Sequence, residues 1–125
     1  MSNPRVLIAE DVESNYIYLK ALLKKVSCDV IWAENGLKAL DIIKDDGSID
    51  LVLMDLQMPL LSGIDVVKEV RALGFDLPII AQTAFSQDDD IENLLESGVN
   101  DVFIKPIRPH HFYKVISNYI NITKF

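Results

Sequence analysis

The fold of this chain is decided by one stretch, Ile49-Asp50-Leu51-Val52-Leu53-Met54-Asp55-Leu56-Gln57-Met58-Pro59. Its four consecutive apolar residues, Leu51 to Met54, are too few for an independent helix and suit a short strand. A strand that is apolar on both faces is typical of a parallel sheet covered by helices. We predict that this strand stops at Asp55, because Pro59 has no N–H to donate to a sheet ladder. Asp55 is therefore expected at the carboxyl edge of a buried strand, where open α/β sheets bind ligands.

Strand and helix signals alternate along the rest of the chain, which indicates a doubly wound α/β sheet. We predict strands at residues 5–9, 29–33, 51–54, 77–81 and 102–104. We predict helices at residues 14–26, 37–44, 65–73, 86–97 and 109–120, with Ser14 and Ser86 as N-caps. The predicted architecture is a flavodoxin-like, five-stranded parallel sheet in the order 2-1-3-4-5, with helices on both faces.

Length and charge limit the possible functions. The 125 residues are enough for one domain with a hydrophobic core. The net charge of −7 argues against direct nucleic-acid binding, since contacts to phosphates need Lys and Arg. No apolar run approaches the roughly 18 residues of a membrane helix, so we expect no membrane insertion and a cytoplasmic protein. The single cysteine, Cys28, is expected to be a small core residue. The sequence predicts no oligomeric state.

Three features that suggest ligand sites are interpreted as structural. Asp88 to Asp90 fall in the first turn of a predicted helix, where the positive helix end favours solvated acids. His110 and His111 are adjacent on a predicted helix and point in different directions, which argues against a two-histidine metal site. Trp32 is expected to be half-buried on the second strand.

Polar side chains follow four of the predicted strands. Glu10 and Asp11 follow the first, Asp55 the third, Thr83 the fourth and Lys105 the fifth. Because the carboxyl ends of parallel strands share one edge, the three acids should lie together. Clustered carboxylates raise one another's pKa, and a hard divalent cation removes the repulsion. Oxygen ligands, few of them from protein, suit Mg²⁺.

The hydroxyl and the ammonium at the same edge predict an anion. Lys105 can neutralise one oxygen of a phosphoryl group, Thr83 can donate to another, and the metal can hold a third, which matches phosphoryl transfer. A carboxylate oxygen would then be the in-line nucleophile and form an acyl phosphate. We choose Asp55 for this role because it is alone and central, whereas Glu10 and Asp11 form a pair of ligands.

Five segments together resemble the receiver domain of two-component response regulators. They are Leu7-Ile8-Ala9-Glu10-Asp11, Ala33-Glu34-Asn35-Gly36, Leu53-Met54-Asp55-Leu56-Gln57-Met58-Pro59 with Ser62-Gly63, Ile79-Ile80-Ala81-Gln82-Thr83-Ala84, and Asp101-Val102-Phe103-Ile104-Lys105-Pro106-Ile107. No segment is specific by itself, but all five in this order and spacing are. The resemblance covers essentially the whole chain, so we expect a single receiver domain over residues 1–125.

The resemblance implies a phosphoacceptor module of a phosphorelay, which catalyses only its own phosphorylation and dephosphorylation. A histidine kinase or a histidine phosphotransfer domain would pass a phosphoryl group to Asp55, and a conformational shift would carry the signal. Thr83 and Lys105 would hold the phosphoryl oxygens. The implied Mg²⁺ ligands are Glu10, Asp11, Asp55 and the backbone carbonyl of Gln57.

The resemblance also implies finer features. The Lys105–Pro106 bond would be cis, and Gln57 and Phe85 would flank the path of a water that attacks the acyl phosphate. The segments Gln82-Thr83-Ala84 and Lys105-Pro106-Ile107 resemble receivers of hybrid sensor kinases. One position departs from the pattern, because Val102 stands where receivers usually carry an aromatic switch residue, and Phe103 comes one residue later. Alternation along a strand places Phe103 on the opposite face.

Three other functions fit parts of the pattern. A catalytically silent, receiver-like interaction module would not need the full set of acids, Thr83 and Lys105. A flavin-binding protein of the same topology would need a phosphate loop after the first strand, where Glu10-Asp11-Val12-Glu13 would repel a phosphate. An aspartyl-phosphate phosphatase usually carries a second acid two residues after its nucleophile, a position that Gln57 occupies here.

Overall fold

The computed structural model describes residues 3–84 and 88–122, with the backbone alone described for residues 88–90. The described residues form five strands, which are β1 (Arg5–Ala9), β2 (Asp29–Ala33), β3 (Leu51–Asp55), β4 (Ile79–Thr83) and β5 (Asp101–Ile104). They also form five helices, which are α1 (Glu13–Lys24), α2 (Gly36–Asp45), α3 (Gly63–Ala72), α4 (Asp88–Glu96) and α5 (Pro109–Ile116). None of the described helices is both long and apolar enough to cross a bilayer.

The strands form one parallel sheet in the order β2-β1-β3-β4-β5. Every residue of β3 is buried, since the strand lies at the centre of the sheet between two layers of helices. On one face, Val52 and Met54 pack with residues of α2, α3 and α4; on the other, Leu51 and Leu53 pack with residues of α1 and α5. The predicted fold class and strand order are confirmed.

Most predicted element bounds differ from the structure by one or two residues, and the end of the last helix differs by four. Ser14 is not the N-cap of α1, because the helix begins at Glu13 and the carboxylate of Glu10 accepts the Val12 N–H at 3.2 Å. An acid from the preceding strand end thus satisfies a donor at the start of the helix. The other predicted N-cap, Ser86, lies outside the described residues, as do Phe85 and the side chains of residues 88–90.

The fourth strand and the last helix are shifted from their predicted bounds. β4 begins at Ile79, after a proline that has no N–H for the ladder, and it continues to Thr83, whose carbonyl accepts the Lys105 N–H at 2.8 Å. α5 ends at Ile116, four residues before the predicted end, because the next residues form tighter turns. The Asn118 and Tyr119 N–H groups donate to carbonyls three residues back.

The single cysteine is part of the core, as predicted. Cys28 is 1% exposed and packs in the cluster beneath α1 and α5. Burial raises the pKa of its thiol to about 11, so the reactive thiolate is scarce at neutral pH.

The start of α3 lies directly against the end of β3. A Cβ built on Gly63 would meet the carbonyl oxygen of Asp55, and it would lie 2.8 Å from the Cα of Leu56. Both neighbours are backbone atoms, which cannot rotate away as a side chain could. The Gly63 N–H also donates to the Leu56 carbonyl at 3.2 Å. Gly63 therefore allows the loop after Asp55 to close tightly.

We expect the Gly63→Ala substitution to lower the free energy of unfolding by more than about 2 kcal/mol, since the added methyl group must displace backbone. The matched control is Gly47→Ala, because a Cβ there would have nothing within 4 Å. The control should change the free energy of unfolding by less than about 1 kcal/mol. Urea unfolding followed by circular dichroism measures both, and equal effects would contradict this account of the loop.

Candidate functional site

The three predicted acids converge at the carboxyl edge of the sheet. Glu10 directly follows β1 and Asp55 ends β3, and these two strands are neighbours. One carboxylate oxygen from each of Glu10, Asp11 and Asp55 lies within 4.8 Å of the others. Their environments are unequal, because Glu10 is fully buried, Asp55 is 5% exposed and Asp11 is exposed.

Two groups hold the Asp55 carboxylate in place. Its Oδ1 accepts the backbone N–H of Gln57 at 3.0 Å, and its Oδ2 lies 3.3 Å from the Lys105 ammonium. The same ammonium lies 3.7 Å from Oε2 of Glu10. The Lys105–Pro106 peptide bond is cis, as the sequence resemblance implied. Lys105 therefore joins the end of β5 to both buried acids.

Thr83 and Gln57 complete the predicted set. Thr83 is the last residue of β4 and is 4% exposed. It follows Gln82, which is paired with Asp55 in the sheet register. Gln57 is exposed, and the contact that joins it to the site is its backbone N–H. All six predicted residues thus lie at or beside the same sheet edge.

Glu10 is the most perturbed acid of the site. Burial is the largest cause, and hydrogen bonding and charge repulsion from Asp55 add to it. The Lys105 ammonium and the Val12 N–H act in the opposite direction, and the pKa of Glu10 is raised to about 7. The surroundings of Glu10 therefore disfavour the ionised form of its carboxyl group.

The arrangement suits a small divalent cation. Among the described residues, Oε2 of Glu10 is buried and has no hydrogen-bond partner, which is costly for a carboxylate oxygen. Two further carboxylates lie within reach of the same point. A hard cation would supply the missing partner of Oε2 and would neutralise the clustered charge, and Mg²⁺ takes such oxygen ligands together with several waters.

Three polar residues near the site were not predicted from the sequence as part of it. The Asn15 side chain lies 3.5 Å from Oε1 of Glu10, and the Trp32 indole donates to the Glu10 carbonyl at 2.8 Å. Gln82 is 1% exposed, and its amide nitrogen has no hydrogen-bond partner in the part of the chain that the structure describes. Asn15 carries a sequence signal, since it falls in the first turn of the helix after Glu10. Trp32 carries none, because its contact depends on the pairing of β1 with β2.

Comparison with known proteins gives a consistent result. The family model for the response regulator receiver domain matches residues 6–117. Hybrid signal transduction histidine kinase I of Dictyostelium discoideum is 40% identical over an alignment of 124 residues, and the match covers 93% of this chain and 7% of that protein. The autoinducer 2 sensor kinase/phosphatase LuxQ of Vibrio parahaemolyticus is 38% identical over 116 residues, 92% of this chain and 13% of LuxQ. The polar-differentiation response regulator DivK of Brucella anthropi is 35% identical over an alignment of 121 residues, and the match covers 92% of this chain and 94% of DivK. The chain thus spans a small part of these kinases and nearly the whole of DivK.

Solved structures show the same likeness. A Francisella response regulator receiver domain superposes with a TM-score of 0.89 at 26% identity, covering 94% of this chain and 96% of that one. The receiver domain of sensor histidine kinase PA1611 from Pseudomonas aeruginosa, which has a magnesium ion in its active-site cleft, gives 0.86 at 28% identity, covering 94% and 98%. The receiver domain of Ssk1 from Saccharomyces cerevisiae, solved with the histidine phosphotransfer protein Ypd1, gives 0.87 at 33% identity, covering 94% and 89%. These similarities agree with the family predicted from the sequence.

In the metal-free protein, we expect the free energy of unfolding to fall as the pH rises from about 4.5 to about 7. Over this range Glu10 keeps its proton in the folded state and loses it in the unfolded state, so the unfolded state binds fewer protons. Urea unfolding in a metal chelator at about pH 5 and about pH 7 should show a difference of about 1–3 kcal/mol from this group.

Two variants test the assignment of this pH dependence. Glu10→Gln should lose most of it and should be more stable than the wild type near the upper end of the range, because it removes a buried charge. Glu13→Gln removes an exposed acid three residues away and should behave as the wild type does. An unchanged pH dependence in Glu10→Gln would rule out Glu10 as its source.

Proposed function

The chain belongs to the response regulator receiver domain family, and we propose that it accepts a phosphoryl group on Asp55 from a phosphohistidine donor. It is a receiver domain of two-component phosphorelays and, as such, a signalling domain. The observation that carries the assignment to Asp55 is the fixed position of its carboxylate. The group is almost fully buried, and it is oriented by the Gln57 N–H on one oxygen and by Lys105 on the other.

The proposed transfer is an in-line displacement at phosphorus. One carboxylate oxygen of Asp55 attacks the phosphorus atom, the P–N bond of the donor breaks, and the donor nitrogen leaves with the bonding electrons. The ammonium of Lys105 lies 3.3 Å from Oδ2 of Asp55, close to where the incoming phosphoryl group would bind. Lys105 then neutralises a phosphoryl oxygen, and Thr83 donates its hydroxyl to another.

The proposed cofactor is Mg²⁺, held by Glu10, Asp11, Asp55 and the backbone carbonyl of Gln57. The proposal is supported by the clustered carboxylate oxygens and by the unpartnered Oε2 of Glu10. When bound, the ion would neutralise negative charge that develops on the phosphoryl oxygens. The magnesium ion in the PA1611 receiver domain supports the same choice of metal. We also propose that the domain catalyses the hydrolysis of its own acyl phosphate.

The proposed donor is a histidine kinase or a histidine phosphotransfer domain. The Ssk1 receiver domain was solved with such a phosphotransfer protein, and the relatives include a hybrid signal transduction histidine kinase and a sensor kinase/phosphatase. A surface beside the acidic site suits a protein donor, because Val12, Ile17 and Tyr18 are each more than two-fifths exposed there. The Tyr18 hydroxyl donates to the Ile107 carbonyl at 2.6 Å, which joins this surface to the loop after Lys105.

We expect acetyl phosphate with Mg²⁺ to add one phosphoryl group to the wild-type domain, as measured by intact mass. The added mass should be absent without the metal and absent in Asp55→Asn, which keeps the shape of the side chain and removes the nucleophilic charge. Asp41→Asn, at an exposed position of α2, is the matched control and should be phosphorylated as the wild type is. Phosphorylation that persists in Asp55→Asn would overturn the assignment.

We expect the conformational response to phosphorylation to differ from that of most receivers, because Val102 of β5 stands where they usually carry an aromatic switch residue. Val102 is half-buried against the cluster beneath α2, α3 and α4, whereas Phe103 is fully buried on the opposite face. The Phe103 ring stacks on Phe112 of α5 with ring centroids 5.5 Å apart. Phe103 is thus part of the core, and Val102 is too short to move between solvent and the space beside Thr83.

We therefore predict weak coupling between Asp55 and the outer surface of α5. The phosphoryl mimic beryllofluoride should change amide hydrogen exchange strongly around Asp55 and weakly over residues 112–119. The Val102→Tyr variant should strengthen the second effect, because its ring can occupy two positions and bias a two-state surface. Changes in the wild-type helix as large as those in Val102→Tyr would show that the missing aromatic residue has no consequence.

A further inference from the structure

Trp32 fixes the backbone of Glu10 from the neighbouring edge strand. Its indole Nε1 donates to the Glu10 carbonyl oxygen at 2.8 Å, while the Glu10 N–H donates to the Ala33 carbonyl at 3.0 Å. Both backbone polar groups of Glu10 are therefore held by consecutive residues of β2.

The sheet register explains why a long side chain is needed for this contact. β1 pairs with β2 from Arg5 to Ala9, and Trp32 lies opposite Ile8. Glu10 comes one residue after the last pair, where the ladder no longer holds its carbonyl. The indole extends from β2 past the end of the ladder and donates to that carbonyl.

Tyr16 keeps the indole in its orientation. The two rings are stacked with centroids 4.2 Å apart and planes only 5° from parallel. Tyr16 lies on α1, so the stack joins the helix that follows the acidic loop to the strand beside it. The ammonium of Lys20 lies 5.8 Å from the Tyr16 ring centroid and adds a cation–π contact. The indole is thus held on one side by a ring that is itself packed.

The consequence of this contact concerns Asp11. The Glu10 carbonyl belongs to the planar peptide unit that leads into Asp11, so fixing the carbonyl also fixes the plane from which Asp11 starts. Among the described residues, no side-chain hydrogen bond is made by the Asp11 carboxylate, and the side chain is exposed. Its position relative to Glu10 therefore depends on the backbone.

We propose that Trp32 is a positioning residue of the metal site: its indole N–H sets the Glu10–Asp11 peptide so that both carboxylates face one cation. The inference rests on the Mg²⁺ binding proposed above. Groups that orient metal ligands through hydrogen bonds typically affect metal affinity by about 10- to 100-fold. Trp32 acts on the backbone of a ligand, so we expect an effect at the lower end of that range.

The test compares Trp32→Phe with the wild type. Phenylalanine keeps an aromatic ring for Tyr16 to stack on and removes the N–H donor. We expect the Mg²⁺ dissociation constant, measured by calorimetry on the folded domain, to rise about ten-fold. In the metal-free protein, hydrogen exchange of the Glu10 and Asp11 amides should become faster, because the loop loses its anchor.

Val30→Ala separates positioning from a general loss of stability. Val30 lies on the same strand, is half-buried and pairs with Val6, away from the acidic loop. We expect this variant to lower the free energy of unfolding and to leave the dissociation constant within about two-fold of the wild type. A Trp32→Phe constant equal to the wild type, or an equal loss of affinity in Val30→Ala, would overturn the inference.

Different results would contradict the proposed metal site and the proposed role of Trp32. If the wild type binds no Mg²⁺, the metal site is wrong, and the amide exchange of the metal-free proteins still decides whether Trp32 holds the loop. If the wild type binds Mg²⁺ and Trp32→Phe binds it equally well, the metal site stands and the role of Trp32 is wrong.

Discussion

The carboxyl ends of parallel strands lie at the same edge of the sheet, and this constraint brings buried charged side chains close together there. Glu10 and Asp55 end neighbouring strands and are nearly excluded from water, and Lys105 reaches both from β5. Burial, with hydrogen bonding and repulsion from Asp55, raises the pKa of Glu10 to about 7, while Lys105 and the Val12 N–H act in the opposite direction. The two acids are held differently, because the Asp55 oxygens contact the Gln57 N–H and Lys105, whereas Oε2 of Glu10 has no hydrogen-bond partner among the described residues. This arrangement supports the proposed binding of a cation and a phosphoryl group.

The rest of the fold keeps that edge rigid. β3 is buried on both faces, so the position of Asp55 is fixed by packing against two layers of helices. The loop that follows is closed by Gly63, where α3 starts against the Asp55 carbonyl. On the other side, the stacked pair of Trp32 and Tyr16 holds the loop that carries Glu10 and Asp11. Groups that would take part in a reaction need such support when they lie on loops, because small displacements of the reacting atoms lower the reaction rate strongly.

The packing around β5 bears on the proposed output of the domain. Phe103 belongs to the core beneath α5, and Val102 faces the opposite cluster. A residue packed in the core has no second position to move to, since protein interiors are close-packed. This packing supports the weak coupling proposed between Asp55 and the outer surface of α5.

The sequence by itself determined the alternation of strands and helices and placed the acids, Thr83 and Lys105 directly after strand ends, because these features follow from short-range patterns. The strand order was expected from the doubly wound fold class, and the structure confirms it. The apolar run that ends at Asp55 is typical of a buried strand in a parallel sheet. The carboxyl ends of parallel strands lie at one edge of the sheet. Only the tertiary structure decided that Glu10 is buried while Asp11 is exposed, that Val12 and not Ser14 is the N-cap of α1, and that Trp32 reaches the Glu10 carbonyl. Each of these depends on contacts between residues brought together by sheet register and helix packing, and no local pattern encodes such distances.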